Sequence, residues 1–248
     1  MLIVITMFIL GTLFGFIGAG GAGFVIAILT TTFHVPIHIA LGTSLAGMAF
    51  TSMSGAYSHY REGNTHIKIG LIVGVFAAIG SYIGAKIITL IPAHSLNLMT
   101  GGMLLLSSLL LLLNLFFIKN APSQEMNDNY FLTWIKATLL GIVTGVLSGT
   151  FGIGSAPFIQ IGLLVLFKLT VRQSVGTTML IIIPTAVGGG IGYYSEGLIN
   201  FSLLAQVLIG TMCGAYIGAK FTNLAPKTVL KTSIILTPAV GGVILLLI

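Results

Sequence analysis

The stretch GFIGAGGAGF, residues 15–24, decides the fold of this chain because it interrupts the first apolar segment. Five of its ten positions are glycine, within an apolar run that extends from Met1 to Phe33. Each glycine destabilises a helix interior by about 1 kcal/mol relative to alanine. The four glycines between 18 and 23 therefore predict a helix that opens or bends at its centre.

Composition indicates the environment of this broken helix. The chain has 248 residues, of which 56% are hydrophobic and 6% charged, with a mean hydropathy of +1.12. So few charges cannot cover a water-soluble surface. The apolar residues come in long runs rather than the alternating pattern of a barrel, which predicts an all-α integral membrane protein. Six nearly uncharged stretches are long enough to cross a bilayer: 37–58, 67–90, 96–117, 172–194, 200–222 and 228–248.

The charged residues and the single cysteine exclude other classes. The formal net charge is +6, but the basic residues are scattered over helix ends, so we expect no nucleic-acid partner. Cys213 cannot form an intrachain disulfide and is expected to be a packing residue. The first apolar segment has no basic flank or cleavage pattern, which favours a permanent anchor over a signal peptide.

The chain is an internal duplication. A shift of 134 residues aligns 11–92 with 145–226 without a gap, and 25 of the 82 positions are identical. The longest match is YIGAK, at 82–86 and again at 216–220. We predict a first membrane repeat at 1–117, a polar linker at 118–131 and a second membrane repeat at 132–248. Internal repeats of this kind are common in transporters.

The basic residues predict how the two repeats are oriented. Two long apolar blocks, 2–33 and 137–167, each contain a glycine-rich break. If each block crosses the membrane once, the ten lysines and arginines divide six to four between the faces. If each block returns to its starting face, nine lie on one face and only Lys86 on the other, which the positive-inside rule favours. This predicts inverted repeats with both termini outside, whether each block is re-entrant or crosses twice.

The glycine breaks are then predicted to be the tips of two helical hairpins that enter from opposite faces and meet at the membrane centre. Irregular backbone at that depth is tolerated only where it is buried or lines a cavity. The amide groups at the start of each returning helix, near Ala22 and Ala156, carry partial positive charge. Pro157 suits such a first turn. Two converging helix N-termini form an anion site without a buried lysine.

These motifs resemble the sulfite exporter TauE/SafE family over nearly the whole chain. The resemblance rests on GFIGAGGAGF, the Gly42-Thr43-Ser44 segment, the HYREG turn at 59–63 and the helix containing YIGAK. The second half repeats it with GIGSAPF at 152–158, Gly176-Thr177-Thr178 and GAYIGAK at 214–220. The resemblance implies a multi-pass transporter of small anions, with sulfite and sulfonates as the usual substrates.

Candidate substrate ligands follow from the breaks and from nearby hydroxyl groups. The backbone candidates are Gly18, Gly20, Gly21, Ala22 and Gly23 in the first half and Gly152, Gly154 and Ala156 in the second. The hydroxyl candidates are Thr43, Ser44, Ser155, Thr177 and Thr178. The alternatives are close helix packing for the glycines and bonding to the local backbone for the hydroxyls. Glycines spaced along the helices, such as Gly80, Gly84, Gly214 and Gly218, are assigned to packing.

Glu62 and Glu196 are the only acidic residues outside the linker, and the shift aligns them. They are candidates for proton coupling, although a solvated turn before a glycine is the plainer interpretation. His59 and Arg61 could attract an anion, but their counterparts Tyr193 and Ser195 are neutral, so a solvated helix end is expected. The other histidines lack ligand spacing, so no metal or other cofactor is expected.

The function predicted from these features is a secondary transporter of small oxyanions in the cell membrane, with export favoured. An anion channel is the main alternative, and a structural scaffold is a weaker one. No catalytic constellation is present, so the chain is not expected to be an enzyme. The sequence leaves open the exact substrate, the direction, the coupling ion and the oligomeric state.

Overall fold

A computed structural model of the chain describes residues 2–17, 22–113, 130–153, 155–221 and 226–247. These residues form ten α-helices and contain no strand. The helices are α1 Leu2–Ile17, α2 Ala22–Thr31, α3 Ile37–Arg61, α4 Ile67–Ile87, α5 Ala93–Leu112, α6 Tyr130–Phe151, α7 Ala156–Leu166, α8 Val171–Ser195, α9 Phe201–Phe221 and α10 Lys227–Leu246. A short 3-10 turn, Ile88–Leu90, follows α4.

Five stretches in the described part of the chain are both long and apolar enough to span a membrane, which confirms an all-α membrane protein. They are Ile67–Leu90, Ala93–Leu112, Phe131–Phe151, Val171–Ser195 and Phe201–Gly218. The predicted span at 228–248 is not among them, because it corresponds to a shorter apolar helix, Lys231–Leu246. The predicted span at 37–58 is also not among them, although α3 has 25 residues. Buried polar side chains, including Thr51, Ser52 and Ser58, lower its hydropathy because this helix faces other helices rather than lipid.

Helices α3 and α8 form the centre of the structure. The most apolar window of α8 is 67% buried, compared with 33–44% for the other four membrane-length stretches. The two helices run antiparallel, because Gly55 lies against Met179 while Gly189 lies against Leu45. They occupy equivalent positions in the two halves of the chain, so the two halves run in opposite directions at their contact.

The outer helices pack against the opposite half of the chain. In the α1–α9 pair, Gly11 lies against Thr211 and Gly15 against Ala215, so these helices run parallel. Gly145 on Ala77 and Gly149 on Ser81 give the same arrangement for α6 and α4. The 134-residue shift converts the Gly11–Thr211 contact into Gly145–Ala77, and the Gly15–Ala215 contact into Gly149–Ser81. The duplication therefore extends to the packing.

The spaced glycines predicted to serve packing do so. A Cβ atom at Gly80 or Gly84 of α4 would lie within 3.0 Å of the α6 backbone. Gly214 and Gly218 of α9 are equally close to the α1 backbone. Such distances leave no room for a side chain, so the absence of a Cβ allows the helices to pack this closely.

Helix α9 runs parallel to α3, and α4 runs parallel to α8. Thr51 of α3 donates to Thr211 of α9 at 2.8 Å, and backbone N–H of Asn200 just before α9 contacts Thr43. In the same way, Gly74 of α4 lies against Pro184 of α8. Helices α1, α3 and α9 therefore run in one direction, and α4, α6 and α8 in the other.

Candidate functional site

The first glycine break lies between α1 and α2. Gly18, Gly20 and Gly21 fall outside the described residues, so the structure gives no geometry for these three candidates. Ala22 is the first residue of α2. Gly23 is buried, and a Cβ there would lie 2.8 Å from the side chain of Leu104 on α5. The first turn of α2 is therefore packed inside the protein.

The second break, between α6 and α7, is described except for Gly154. Gly152 has a φ of +61° and Ser155 a φ of 46°, so both have left-handed backbone. That conformation is strained for a serine, which has a Cβ. Ser155 is the N-cap residue of α7, and Ala156 and Pro157 follow in the first turn.

Ser155 combines three features of a binding residue. Its side chain is fully buried, it makes no capping hydrogen bond to α7, and its hydroxyl has no partner among the described residues. An N-cap serine normally accepts a bond from the helix it begins. A buried hydroxyl without a partner costs free energy, so this group calls for a ligand or a functional role.

The flanks of the two breaks lie near opposite ends of α3. Gly152 lies against Leu41, whereas the carbonyl of Gly15 is 3.1 Å from Nε2 of His59. Positions 41 and 59 are separated by about 27 Å along a helix. The prediction that the breaks meet at one central point is therefore wrong for their flanking residues. Helices α1 and α6, with 16 and 22 residues, are long enough to pass the middle of α3.

Thr43 and Thr177 serve the fold. The Thr43 hydroxyl accepts the backbone N–H of Asn200 at 3.3 Å, and the Thr177 hydroxyl accepts that of His66 at 2.9 Å. The two acceptors are related by the 134-residue shift, and so are the two donors. Both bonds satisfy N–H groups at the start of α9 and α4, which have no acceptor within their own helix.

Ser44 and Thr178, the next residues along, differ from these threonines. Their side chains are 3% and 0% exposed, and neither hydroxyl has a partner among the described residues. Ser44 lines a cavity of about 10 Å³ between α2, α3 and α9, together with Val25 and Thr51. That volume is about the size of one water molecule. The structure thus leaves the second hydroxyl of each Thr-Ser or Thr-Thr pair available.

The two candidate coupling carboxylates lie at helix ends. Glu196 follows α8 and accepts from Nζ of Lys86 at 2.5 Å, and that amine also donates to Ser195 at 2.7 Å. The pair is partly exposed, with 38% of the Lys86 and 29% of the Glu196 side chain accessible. Glu62 is exposed and caps the end of α3. These positions agree with the plainer interpretation of solvated turns.

The predicted position of His59 at a solvated helix end is wrong. Its side chain is fully buried, not at a solvated helix end, whereas Arg61 is exposed as expected. The equivalent residue in the second half, Tyr193, is also fully buried. The 134-residue shift aligns His59 with Tyr193, but the two residues are not identical, so a search for identical positions does not find this pair. Among the described residues, no group of metal-ligating side chains is present.

Helices of membrane-spanning length around a buried polar centre define the class, a multi-pass helical membrane protein. The chain belongs to the sulfite exporter TauE/SafE family, because the sequence model of "Sulfite exporter TauE/SafE" matches residues 3–245. This confirms the resemblance noted in the sequence. It also supports the expectation of a transporter rather than an enzyme.

Relatives with high coverage carry names of the same kind. "Probable membrane transporter protein YdhB" of Bacillus subtilis (strain 168) is 65% identical over 246 residues, covering 99% of this chain and 100% of the relative. "Probable membrane transporter protein YunE" of the same strain is 26% identical, covering 97% and 95%. "Probable membrane transporter protein MJ0441" of Methanocaldococcus jannaschii is 26% identical, covering 91% and 88%. No solved structure matches the chain.

Proposed function

We propose that this transporter exports small sulfur-containing oxyanions, such as sulfite or organosulfonates, and that the anion binds at the first turn of α7, with a related second position at the first turn of α2. The family is named for sulfite export, which supports the substrate class. The observation that carries the binding site is Ser155, whose buried hydroxyl has no partner at the start of α7.

The start of α7 has the properties that an oxyanion requires. Helix N-termini carry partial positive charge and unpaired N–H groups, and α7 has 11 residues to support this dipole. Because Ser155 does not cap the helix, its hydroxyl and the first-turn amides are available to a ligand. A neutral site of this kind binds an anion without the desolvation cost of a buried lysine.

The first half supplies a related arrangement. The Ser44 hydroxyl has no partner within the described part of the chain, and the cavity that it lines also includes Val25 in the first turn of α2. Thr178 is its equivalent in the second half. We assign ligand roles to Ser44, Ser155 and Thr178 rather than to Thr43 and Thr177, whose hydroxyls serve the fold.

We further propose that the two halves are inverted repeats in the membrane. The antiparallel contact of α3 with α8 supports this, as does the direction of the outer helices. Because α1 and α3 run the same way, α2 has to carry the chain back between them. The basic residues then divide nine to one, with Lys86 alone on the outer face and both termini outside the cytoplasmic membrane.

Inverted repeats provide two similar half-structures that can exchange inward- and outward-facing states. The membrane potential favours export of an anion by about 2.3 kcal/mol per charge per 100 mV when the interior is negative. Export by this route needs no coupling ion. The two acidic residues outside the linker, both at helix ends, agree with transport that does not depend on a buried carboxylate.

Purified protein in proteoliposomes tests the function directly. We expect saturable flux of radiolabelled sulfite, a sulfonate or thiosulfate that increases with an imposed potential. Protein-free liposomes and the Ser155→Ala variant serve as controls. Protein that is folded but carries no saturable flux of any of these anions would refute the proposal. Large currents in planar bilayers, at rates far above transporter turnover, would indicate an anion channel instead.

A further inference from the structure

Two buried side chains make equivalent bonds at the two breaks. Nε2 of His59 on α3 lies 3.1 Å from the carbonyl oxygen of Gly15 on α1. The hydroxyl of Tyr193 on α8 donates to the carbonyl oxygen of Gly149 on α6 at 2.9 Å. The 134-residue shift relates His59 to Tyr193 and Gly15 to Gly149. Two chemically different side chains thus occupy the same structural position.

The chemistry of the first bond is defined by its acceptor. A carbonyl oxygen can only accept, so Nε2 of His59 carries the proton and donates it. Tyr193 donates through its hydroxyl in the same way. Both side chains are 0% exposed, so neither bond competes with bulk water.

The two carbonyls lie in the last turns before the glycine breaks. Helix α1 ends at Ile17 and α6 at Phe151, so Gly15 and Gly149 are among the last four residues of their helices. For Gly149, whose helix ends among the described residues, the carbonyl has no N–H partner in a continuing helix. In α6, the neighbouring carbonyl of Ser148 is taken by the N–H of Gly152 at 2.8 Å, which leaves that of Gly149 to Tyr193.

The helices are held at these points by backbone contact as well. A Cβ at Gly15 would clash with the backbone of Ala215, and a Cβ at Gly149 with that of Ser81. Each pre-break turn is therefore clamped between a parallel helix of the opposite half and a side chain from the central α3–α8 pair. This clamp lies three residues before Gly152 and six before Ser155.

We propose that His59 and Tyr193 are positioning residues that hold the last turns of α1 and α6, and that Tyr193 thereby sets the geometry of the break between α6 and α7. Neither residue is assigned contact with the substrate. The effect on transport rests on the proposed function, whereas the effect on the helix ends does not. Loss of either donor is expected to loosen the break of its own half more than that of the other half.

Hydrogen–deuterium exchange of the protein in nanodiscs tests the positions of the helix ends without any substrate. Tyr193→Phe removes one hydroxyl and should speed amide exchange in peptides covering 145–158 by roughly fivefold, the factor expected from one buried hydrogen bond. His59→Phe should do the same for peptides covering 11–24. His59→Gln, whose amide reaches as far as Nε2 of histidine, should restore slow exchange.

Ser108→Ala is the matched control, because Ser108 makes a buried bond of the same kind away from the breaks. Its hydroxyl donates to the carbonyl of Ile235 at 2.8 Å, between α5 and α10. We expect this variant to leave exchange at both breaks unchanged. Equal exchange at 145–158 in Tyr193→Phe and the wild type would overturn the proposal, as would equal loosening by Ser108→Ala.

Flux measurements then separate this proposal from the proposed function. If the wild type transports sulfite or a sulfonate, Tyr193→Phe should raise KM severalfold, and Ser108→Ala, which also loses a buried hydrogen bond, should not. If no anion is transported but exchange changes as described, the positioning role stands and the substrate assignment fails. If flux is normal and both KM and exchange are unchanged in Tyr193→Phe, the positioning role fails alone.

Discussion

Lys86 at the end of α4 and Glu196 just after α8 form an ion pair with an Nζ–Oε1 distance of 2.5 Å. The pair connects the first half of the chain to the second, and a Ser195 hydroxyl shares the amine. Both residues lie at a helix end and are partly exposed. This location favours a structural role for Glu196 over the proton-coupling role that was suggested by its position in the sequence.

Glu196→Gln is expected to have a small effect. Partly exposed ion pairs contribute about 0–1 kcal/mol, so the free energy of unfolding should fall by no more than about 1 kcal/mol. Anion flux should keep the pH profile of the wild type, because the proposed export does not depend on this carboxylate. Flux assays at several pH values provide the test. A profile that becomes flat in Glu196→Gln would instead support proton coupling.

Gly84→Ala should destabilise the protein. Its new methyl group would meet the backbone of α6 near Val146, so the helices must separate, at a cost of about 1–3 kcal/mol. Gly102→Ala is the matched control, since a Cβ there has nothing within 4 Å. That variant should be neutral or gain about 0.4–1 kcal/mol. Thermal unfolding in detergent compares them, and equal stability of the two variants would contradict the packing assignment.

Ser155→Ala and Ser155→Gly separate the hydroxyl from backbone strain. Both remove the hydroxyl, so both should raise KM for the transported anion by about tenfold, since bonds to charged groups contribute about 1.5–3 kcal/mol. Only glycine relieves the left-handed strain at φ 46°, which should make Ser155→Gly the more stable variant by about 1 kcal/mol. An unchanged KM in both variants would remove Ser155 from the binding site.

Thr43→Val and Ser44→Ala should act in opposite ways. Thr43→Val leaves the N–H of Asn200 without its acceptor, which should lower stability by about 1–3 kcal/mol and leave KM nearly unchanged. Ser44→Ala removes a hydroxyl without a partner in the described structure, so stability should hold while KM rises. Paired measurements of unfolding and transport kinetics distinguish the roles. A raised KM with unchanged stability in Thr43→Val, and lowered stability with unchanged KM in Ser44→Ala, would assign the ligand role to Thr43 instead.

Labelling of introduced cysteines should place Lys86 and Lys220 on opposite faces of the membrane. Helices α4 and α9 run in opposite directions, and both residues lie in the last turn of their helices. The experiment uses a Cys213→Ser background, because Cys213, which the sequence predicted as a packing residue, is exposed in the structure. Impermeant reagent should label position 86 from outside and position 220 only after permeabilisation. Labelling of both from one side would exclude inverted repeats.

The family, the helical membrane fold and the break between α6 and α7 could be predicted from the sequence. Run length indicated which segments form helices, and the glycines at 152 and 154 marked this interruption. The 134-residue shift also predicted which residues of the two halves are equivalent. The packing of α1 with α9 and of α6 with α4 agrees with that equivalence. Run length predicted α3 as an apolar membrane span, but its hydropathy is lower than that of the five spans. A helix that packs mostly against protein can carry buried polar residues and need not be apolar on every side.

Sequence by itself thus determined the class of protein, the duplication and the candidate hydroxyl groups. Only the tertiary structure decided that Thr43 is bonded while Ser44 is not, and that His59 is buried against α1. Successive residues on a helix point about 100° apart, so their partners depend on which helices pack on each side. Helix length and packing also decided that the residues flanking the two breaks lie near opposite ends of α3, Gly15 at His59 and Gly152 at Leu41.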